Sequence, residues 1–253
     1  MYEFLAESIQ AFEEEKRDER TQRMRESIVM NIKTSPAIQP LVPLYLRYII
    51  KEISQSQSPT KIVSLPQLAM TLLSNKLLNL EPYLSHFTSI ALTLLLTPPP
   101  KNYEQRIYEM GTSFLKSIIH RFQENYKDYH LKIAESLATY LFTDGHPLST
   151  KYGAVLGLEA LGHEVIQTYL LPNLPQFFDE FKLYLTDEQA SNRKQAIKLK
   201  NLLYRVCTIA FHIITGEHDP TSSPSLDPST AALFREIASF FGYSDFYLFA
   251  AAK

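Results

Sequence analysis

Apolar residues recur every three or four positions along almost the whole chain, and no stretch alternates apolar and polar residues as a half-buried strand would. The expected class is all-α. Leu5, Ile9 and Phe12 form a first stripe, Met24, Ile28 and Ile32 a second, and Val42, Leu46, Ile49 and Ile53 a third. The stripes are separated by breakers: Ser35-Pro36, SQSQSPTK from Ser54, the TPPP run ending at Pro100, the DGHP turn from Asp144, and TGEHDPTSSPSLDP from Thr215. Proline and glycine placed this way punctuate helices. The last breaker predicts a loop over 215–228.

A longer period lies over the short one. PLYL starts at Pro43, PYL at Pro82, a related YHL at Tyr129 and PNL at Pro172. Proline suits the first turn of a helix, where its missing N–H has no intrahelical partner to lose. A spacing of roughly 40–47 residues is that of HEAT or armadillo units, so the chain is expected to be an α-solenoid of about five HEAT-like helix pairs, one domain over residues 1–253. The segment Ile90–Leu96 is apolar nearly all round, as a helix sandwiched between neighbours should be.

The most constrained stretch is HPLSTKYGAVLGLEALGHEVIQTYLLPNLPQFF, from His146 to Phe178. It predicts a helix capped by Ser149 or Thr150 and ended by Gly162, a tight turn, and a second helix opened by Pro172. Gly153 and Gly157 share one face beside Ala154 and Ala160, and each costs about 1 kcal/mol of helix propensity against alanine. Two such residues in one helix point to close packing against another helix. Lys151, Tyr152 and Glu159 are polar or amphipathic positions in this helix and are expected near an exposed partner-binding edge.

The longest helix is expected from about Asp187 to Thr215. Ala196, Leu199, Leu203, Val206, Ala210 and Ile213 make its inward stripe. Lys194, Lys198, Asn201 and Arg205 line another side, with Arg193 and Lys200 nearby and no acid from Gln189 through Cys207. This is the chain's one defensible basic patch. Its three readings are a solvated face, a docking surface for an acidic protein segment, and a phosphate contact.

Composition narrows the chemistry. The 253 residues are 45% apolar, with 15 Phe, 15 Tyr, no Trp and 7 Gly, and this describes an ordered aromatic-rich chain. A formal net charge of -2 gives no global basic field, so direct DNA contact is not favoured. Cys207 is the sole cysteine, which fits a reducing compartment, and its neighbours Val206, Ile209 and Ala210 make it a buried small hydrophobe rather than a nucleophile. The first residues lack a signal-peptide pattern and the longest apolar run is too short to span a bilayer. The expectation is a soluble intracellular protein without membrane contact.

No enzyme signature is present: the sequence holds no glycine-rich phosphate loop, HExxH, paired cysteines or Gly-x-Ser-x-Gly turn. His212 and His218 flank a probable helix end, but no further donors complete a metal site. No catalytic residue, metal or cofactor is therefore expected. The run Glu13 to Glu26 carries six acids and five bases and reads as a solvated helical face.

Three passages resemble a known family. TSPAIQPLVPLYLRYI from Thr34, NLEPYLSHFTSIALTLLL from Asn79 and, most closely, PLSTKYGAVLGLEALGHEVIQTYLLPNL from Pro147 are similar to the C-terminal HEAT-repeat domain of TBP-associated factor six. The resemblance spans roughly residues 1 to 185 and weakens beyond, so it gives the basic helix no role. It implies a nuclear, non-enzymatic scaffold within the transcription factor TFIID, and in many lineages within the coactivator SAGA. Other TFIID subunits are the implied partners, including TBP-associated factor nine, which in the family pairs mainly through an N-terminal histone fold. The first residues here already resemble the HEAT region, so that histone fold is expected to be missing and Met1 need not be the natural start. The alternative is an unrelated HEAT or armadillo adaptor in cytoplasmic trafficking or transport, and the string from Lys151 to Gly162 discriminates between the two.

Overall fold

The computed structural model describes residues 2–14, 19–56, 58–215 and 227–242, and every regular element among them is helical. They form two compact units, one ending at Tyr129 and one beginning at His130.

The first unit contains α1 (Tyr2–Glu13), α2 (Glu19–Thr34), α3 (Val42–Gln55), α4 (Pro59–Ser74), α5 (Leu84–Leu96) and α6 (Glu104–Phe122). The breakers fall between helices as the sequence suggests. Ser35 Oγ accepts from the Ala37 N–H at 3.3 Å and opens a 3-10 turn over Pro36–Leu41. Pro43 lies in the first turn of α3, Pro82 in the 3-10 turn leading into α5, and Tyr129 is the first residue of α7 (Tyr129–Phe142).

Consecutive helices pack as pairs, α3 on α4 and α5 on α6, and α5 also packs on α3. That accounts for the all-round apolar character of α5, whose Phe87, Ile90, Ala91, Leu94 and Leu95 are all buried. The Phe87 and Phe114 rings meet edge to face with centroids 6.2 Å apart, a favoured aromatic geometry. The third stripe is wholly buried, whereas Met24 of the second is 44% exposed. In α1, Leu5 and Ile9 are only half-buried, and Ser8 is buried instead. Its hydroxyl can be buried because it donates to Leu5 O at 2.8 Å and shares a 2.6 Å hydrogen bond with Tyr45 Oη.

Helix ends in this unit are closed by side chains from other helices. Arg121 donates to Leu73 O at 2.7 Å and Leu78 O at 3.0 Å, and Asn75 Nδ2 donates to Ile32 O at 2.7 Å and Ser35 O at 3.1 Å. Ile32 O and Leu73 O lie in the last turns of α2 and α4, where carbonyls have no intrahelical partner, so two of these bonds satisfy groups otherwise orphaned.

The Glu13–Glu26 run is not uniformly solvated among its described residues. Arg25 lies 4.4 Å from the Phe12 ring centroid and donates to Gln67 at 3.0 Å. Glu13 meets Lys61 Nζ at 3.0 Å and accepts from the Tyr48 hydroxyl, while Lys61 also meets Glu52 at 3.1 Å. These groups link α1, α3 and α4. Burial first, then the hydrogen bond and charge of Glu13, push the Tyr48 phenol from 10.0 up to about 12. Its folded-state pKa lies above its unfolded one, so its contribution is fully present below about pH 10 and is lost as pH rises through about 12. Tyr48→Phe is expected to lower stability by about 1 kcal/mol at neutral pH, the scale of one hydrogen bond. Melting curves of the two proteins should then converge between those pH values, and a constant gap would contradict the linkage.

In the second unit α7 is followed by α8 (Leu148–Leu161), the short α9 (His163–Val165), α10 (Leu174–Leu185), α11 (Ala190–Thr215) and α12 (Pro228–Phe241). The helix after Gly162 is not continuous. It passes through a π turn at Ile166–Leu170 and a 3-10 turn at Leu171–Asn173 before α10 begins. Pro172 is the cause, because it has no N–H to give a carbonyl one turn back and its ring crowds that carbonyl. Pro172 is exposed and acts through the backbone rather than by packing. Asn173 Nδ2 donates to Tyr169 O at 3.0 Å across the irregular turn.

Aromatic rings bind α10 to α12. Phe178 and Phe240 stack with centroids 3.8 Å apart, and Phe178 meets Phe241 edge to face at 5.5 Å. Tyr204 of α11 meets Phe241 at 5.6 Å, and Phe211 meets Phe234 at 5.2 Å. The expected loop at 215–228 falls, apart from Thr215, Asp227 and Pro228, outside the described residues, as does His218. Asp227 caps α12 by accepting from the Thr230 N–H at 3.0 Å.

Candidate interaction site

α8 and α11 form the most extensive helix contact of the second unit. Gly153, Ala154 and Gly157 are buried on α8, as close packing of a small-residue face requires. On α11, Ala196, Leu199, Leu203, Val206 and Ala210 are buried as expected, but Ile213 is 46% exposed. Ile209, expected beside a buried Cys207, is likewise 46% exposed, while Cys207 itself is fully buried and its thiol is pushed up by desolvation.

The capping expected of Ser149 or Thr150 does not occur. α8 begins at Leu148, Pro147 occupies the cap position with no side-chain cap hydrogen bond, and both hydroxyl residues fall inside the first turn. Gly162 does end the helix. Its φ of 112° lies where a Cβ is strained, although open space surrounds the position, so the need is conformational rather than steric.

Lys151 is not at an exposed edge. It is 3% exposed, and its ammonium donates to Leu141 O at 2.6 Å and Thr143 O at 3.0 Å, closing the C-terminal end of α7. Its Nζ also lies 5.3 Å from the Phe177 ring centroid. A long apolar stem with hydrogen-bond acceptors at its far end explains how a lysine can sit inside. Burial lowers its pKa, opposed by the charges of Asp144 and Glu180. Tyr152 and Glu159 are half-buried.

The structure brings together two of the expected interaction residues. Arg205 donates to Glu159 Oε2 at 2.8 Å, joining α11 to α8 across 46 positions of sequence. Lys194 and Lys198 are exposed on α11, and Lys200 Nζ sits 5.6 Å from the Phe240 ring centroid. Ile197, Ile209 and Ile213 of α11 are 46–48% exposed. Composition could have hinted at them, because α11 carries more isoleucines than one narrow buried stripe needs.

A shallow recess of about 100 Å³ lies beside Phe142, Asn173, Gln176, Phe177 and Glu180. Pockets for small organic ligands run to about 300–1,000 Å³, so this one is too small for such a substrate. Among the described residues no group of three or more His, Cys, Asp or Glu side chains is placed to hold a metal ion, and no helix is long and apolar enough to cross a membrane.

A family profile described as the TAF6 C-terminal HEAT repeat domain matches residues 2–175. The chain belongs to this family. The TAF6 C-terminal HEAT repeat match takes in the constrained string from Lys151 to Gly162 and Pro172, and stops short of α11. A TFIID subunit 6 of Arabidopsis thaliana is 24% identical over 192 residues, 73% of this chain and 35% of its own length. The Taf6 subunit of SAGA and TFIID from Schizosaccharomyces pombe is 25% identical over 163 residues, 62% of this chain and 36% of its own length. A mouse TAF6-like subunit 6L is 28% identical over 170 residues. The chain thus spans about a third of the first two relatives. The TAF6 C-terminal domain from Antonospora locustae superposes with a TM-score of 0.61 at 18% identity, covering 80% of this chain and 94% of that one, which supports the HEAT-repeat fold.

Proposed function

We propose that this chain is the HEAT-repeat portion of a nuclear TFIID subunit and serves as a non-enzymatic platform for assembling the RNA polymerase II initiation machinery. The observation that carries this reading is the family match over residues 2–175, which includes α8 with its buried Gly153, Gly157 and Lys151. Relatives named as TFIID subunits support the transcriptional role, and the fission yeast relative, named for both complexes, extends it to SAGA. Pairing with TBP-associated factor nine through a histone fold would belong to a part of such a protein outside this sequence. In this reading Tyr152 contributes to a contact surface, Glu159 and Arg205 hold α8 to α11, and Lys194 and Lys198 face a partner.

The test is purification of the full-length gene product from its own cells, followed by mass spectrometry of its companions. Recovery of TBP with several TBP-associated factors supports the platform reading. Recovery of cytoplasmic trafficking or transport proteins alone removes it and leaves a HEAT-repeat adaptor.

A further inference from the structure

We propose that Ser58 is a phosphoacceptor for a proline-directed serine/threonine kinase, and that its phosphate draws Lys61 away from Glu13 and Glu52. Ser35, Ser58, Thr97 and Ser223 each precede a proline, and three positions after them stand Ile38, Lys61, Pro100 and Leu226 respectively. Ser58 alone in the sequence thus combines a following proline with a cation three residues on. A kinase groove that offers no acceptor to the N–H of the residue after the hydroxyl admits proline, which has no such N–H. An acidic pocket beyond it pairs with the cation.

The structure separates these hydroxyls further. Ser35 Oγ already accepts from the Ala37 N–H at 3.3 Å. Thr97 closes the C-terminal end of α5, where the helix dipole disfavours a phosphate, and Ser223 lies outside the described residues. Ser58 stands half-exposed at the corner between α3 and α4, and its hydroxyl makes no cap hydrogen bond to α4. Its backbone, at φ -77° and ψ 114°, is extended, as a kinase cleft requires of the acceptor residue.

In the transfer, Ser58 Oγ attacks the γ-phosphorus of ATP, and the new O–P bond forms as the bond to the β-phosphate oxygen breaks. ADP leaves, and the hydroxyl proton passes to the catalytic aspartate of the kinase. The product carries a charge of about -1.5 to -2 at pH 7. Ser58 occupies the cap position of α4, so Lys61 is the third residue of the helix, the one whose side chain reaches back to the cap. Lys61 holds Glu13 at 3.0 Å and Glu52 at 3.1 Å, and such partly exposed pairs exchange partners at little cost. The phosphate competes for Lys61 with more charge than either carboxylate and repels both. α1, whose last residue is Glu13, then loses its ion pair to α4.

The inference is independent of the platform reading. A chain phosphorylated at Ser58 that recovers no TFIID companions would lose that assignment and keep this site.

The test incubates the whole chain with ATP and a purified cyclin-dependent kinase bound to its cyclin, and locates phosphate by tandem mass spectrometry. Phosphate on Ser58 is expected, with none at that position in Ser58→Ala. Pro59→Ala should slow the reaction at least about tenfold. Lys61→Met should slow it about fivefold and Lys61→Arg restore it. Glu13→Gln with Glu52→Gln frees Lys61 but keeps the motif, and should leave the rate at least as high. Circular dichroism of each variant confirms that the helices persist. In the phosphorylated chain, hydrogen exchange is expected to quicken about threefold in the last turn of α1 and to slow in the first turn of α4. Phosphate on Ser35, Thr97 or Ser223 without phosphate on Ser58 overturns the proposal, as does reaction of a synthetic peptide spanning 54–63 with none in the folded chain. A rate indifferent to Lys61→Met removes the cation from recognition and overturns the kinase class, and unchanged exchange in both α1 and α4 overturns the capture of Lys61.

Discussion

Replacing Gly111 by leucine is expected to destabilise the first unit by about 3 kcal/mol, the upper part of the range for overpacking a dense core. Gly111 is in α6 where that helix lies against α5, and a Cβ added there meets Leu95 Cγ and Cδ2 at 3.0 Å and Leu94 Cβ at 3.2 Å. Leu95 is fully buried, so it has little room to turn away, and Leu94 Cβ moves only with its backbone. Alanine is a closer balance. It recovers about 1 kcal/mol of helix propensity while its methyl asks Leu95 to shift by a few tenths of an ångström. Gly111→Ala should therefore melt within a few degrees of the natural protein, while Gly111→Leu should melt about 6–12 °C lower. A leucine variant with an unchanged melting temperature would mean that α5 and α6 can separate without cost.

Gly111 also shows where sequence reading stops. Helix class, breaks and repeat starts were legible because they depend on local rules: three-to-four periodicity, proline in first turns, glycine at helix ends. Pro43 lies in the first turn of α3 for that reason, and Pro82 in the turn that leads into α5. Gly153 and Gly157 stood out as a pair, whereas Gly111 is a single glycine inside a strongly amphipathic helix, and only the position of α5 gives it meaning. The same limit governs the site. The acid-free run of α11 is legible directly, but the exposure of Ile209 and Ile213 is a tertiary fact. Glu159 and Arg205 are each legible in the sequence, while their pairing across 46 positions is a tertiary fact. Polar character is a poor guide at Lys151, because a lysine can leave water if helix-end carbonyls receive its ammonium.

Lys151→Glu is expected to cost about 3–5 kcal/mol, the range for breaking a buried charged contact, and to lower the melting temperature of the second unit by about 10 °C or more. The ammonium answers the carbonyls of Leu141 and Thr143, at the negative end of the α7 dipole. A carboxylate there would face those oxygens and also the acidic pair Asp144 and Glu180. Glu180 already has its carboxyl held above the usual range, first by its hydrogen bond with Asp144 and then by that residue's charge, with Lys151 acting in the opposite direction. Removing the cation leaves this repulsion unopposed, and reversing it adds a third negative group. Lys151→Met separates packing from charge. It keeps most of the buried stem but removes the donor to Leu141 O and Thr143 O, at a cost of about 1–3 kcal/mol. The order natural protein, methionine, glutamate is thus expected in denaturant titrations, and a methionine variant as stable as the natural protein would show that the carbonyl contacts contribute nothing net. The ordering also governs how binding losses are interpreted. A methionine variant held well below its melting temperature should still recover the companions of the natural protein, because Lys151 acts by fixing α8 on the end of α7. If that variant kept its stability and lost those companions, Lys151 would be a partner contact, and its burial in the free chain would have to give way on assembly.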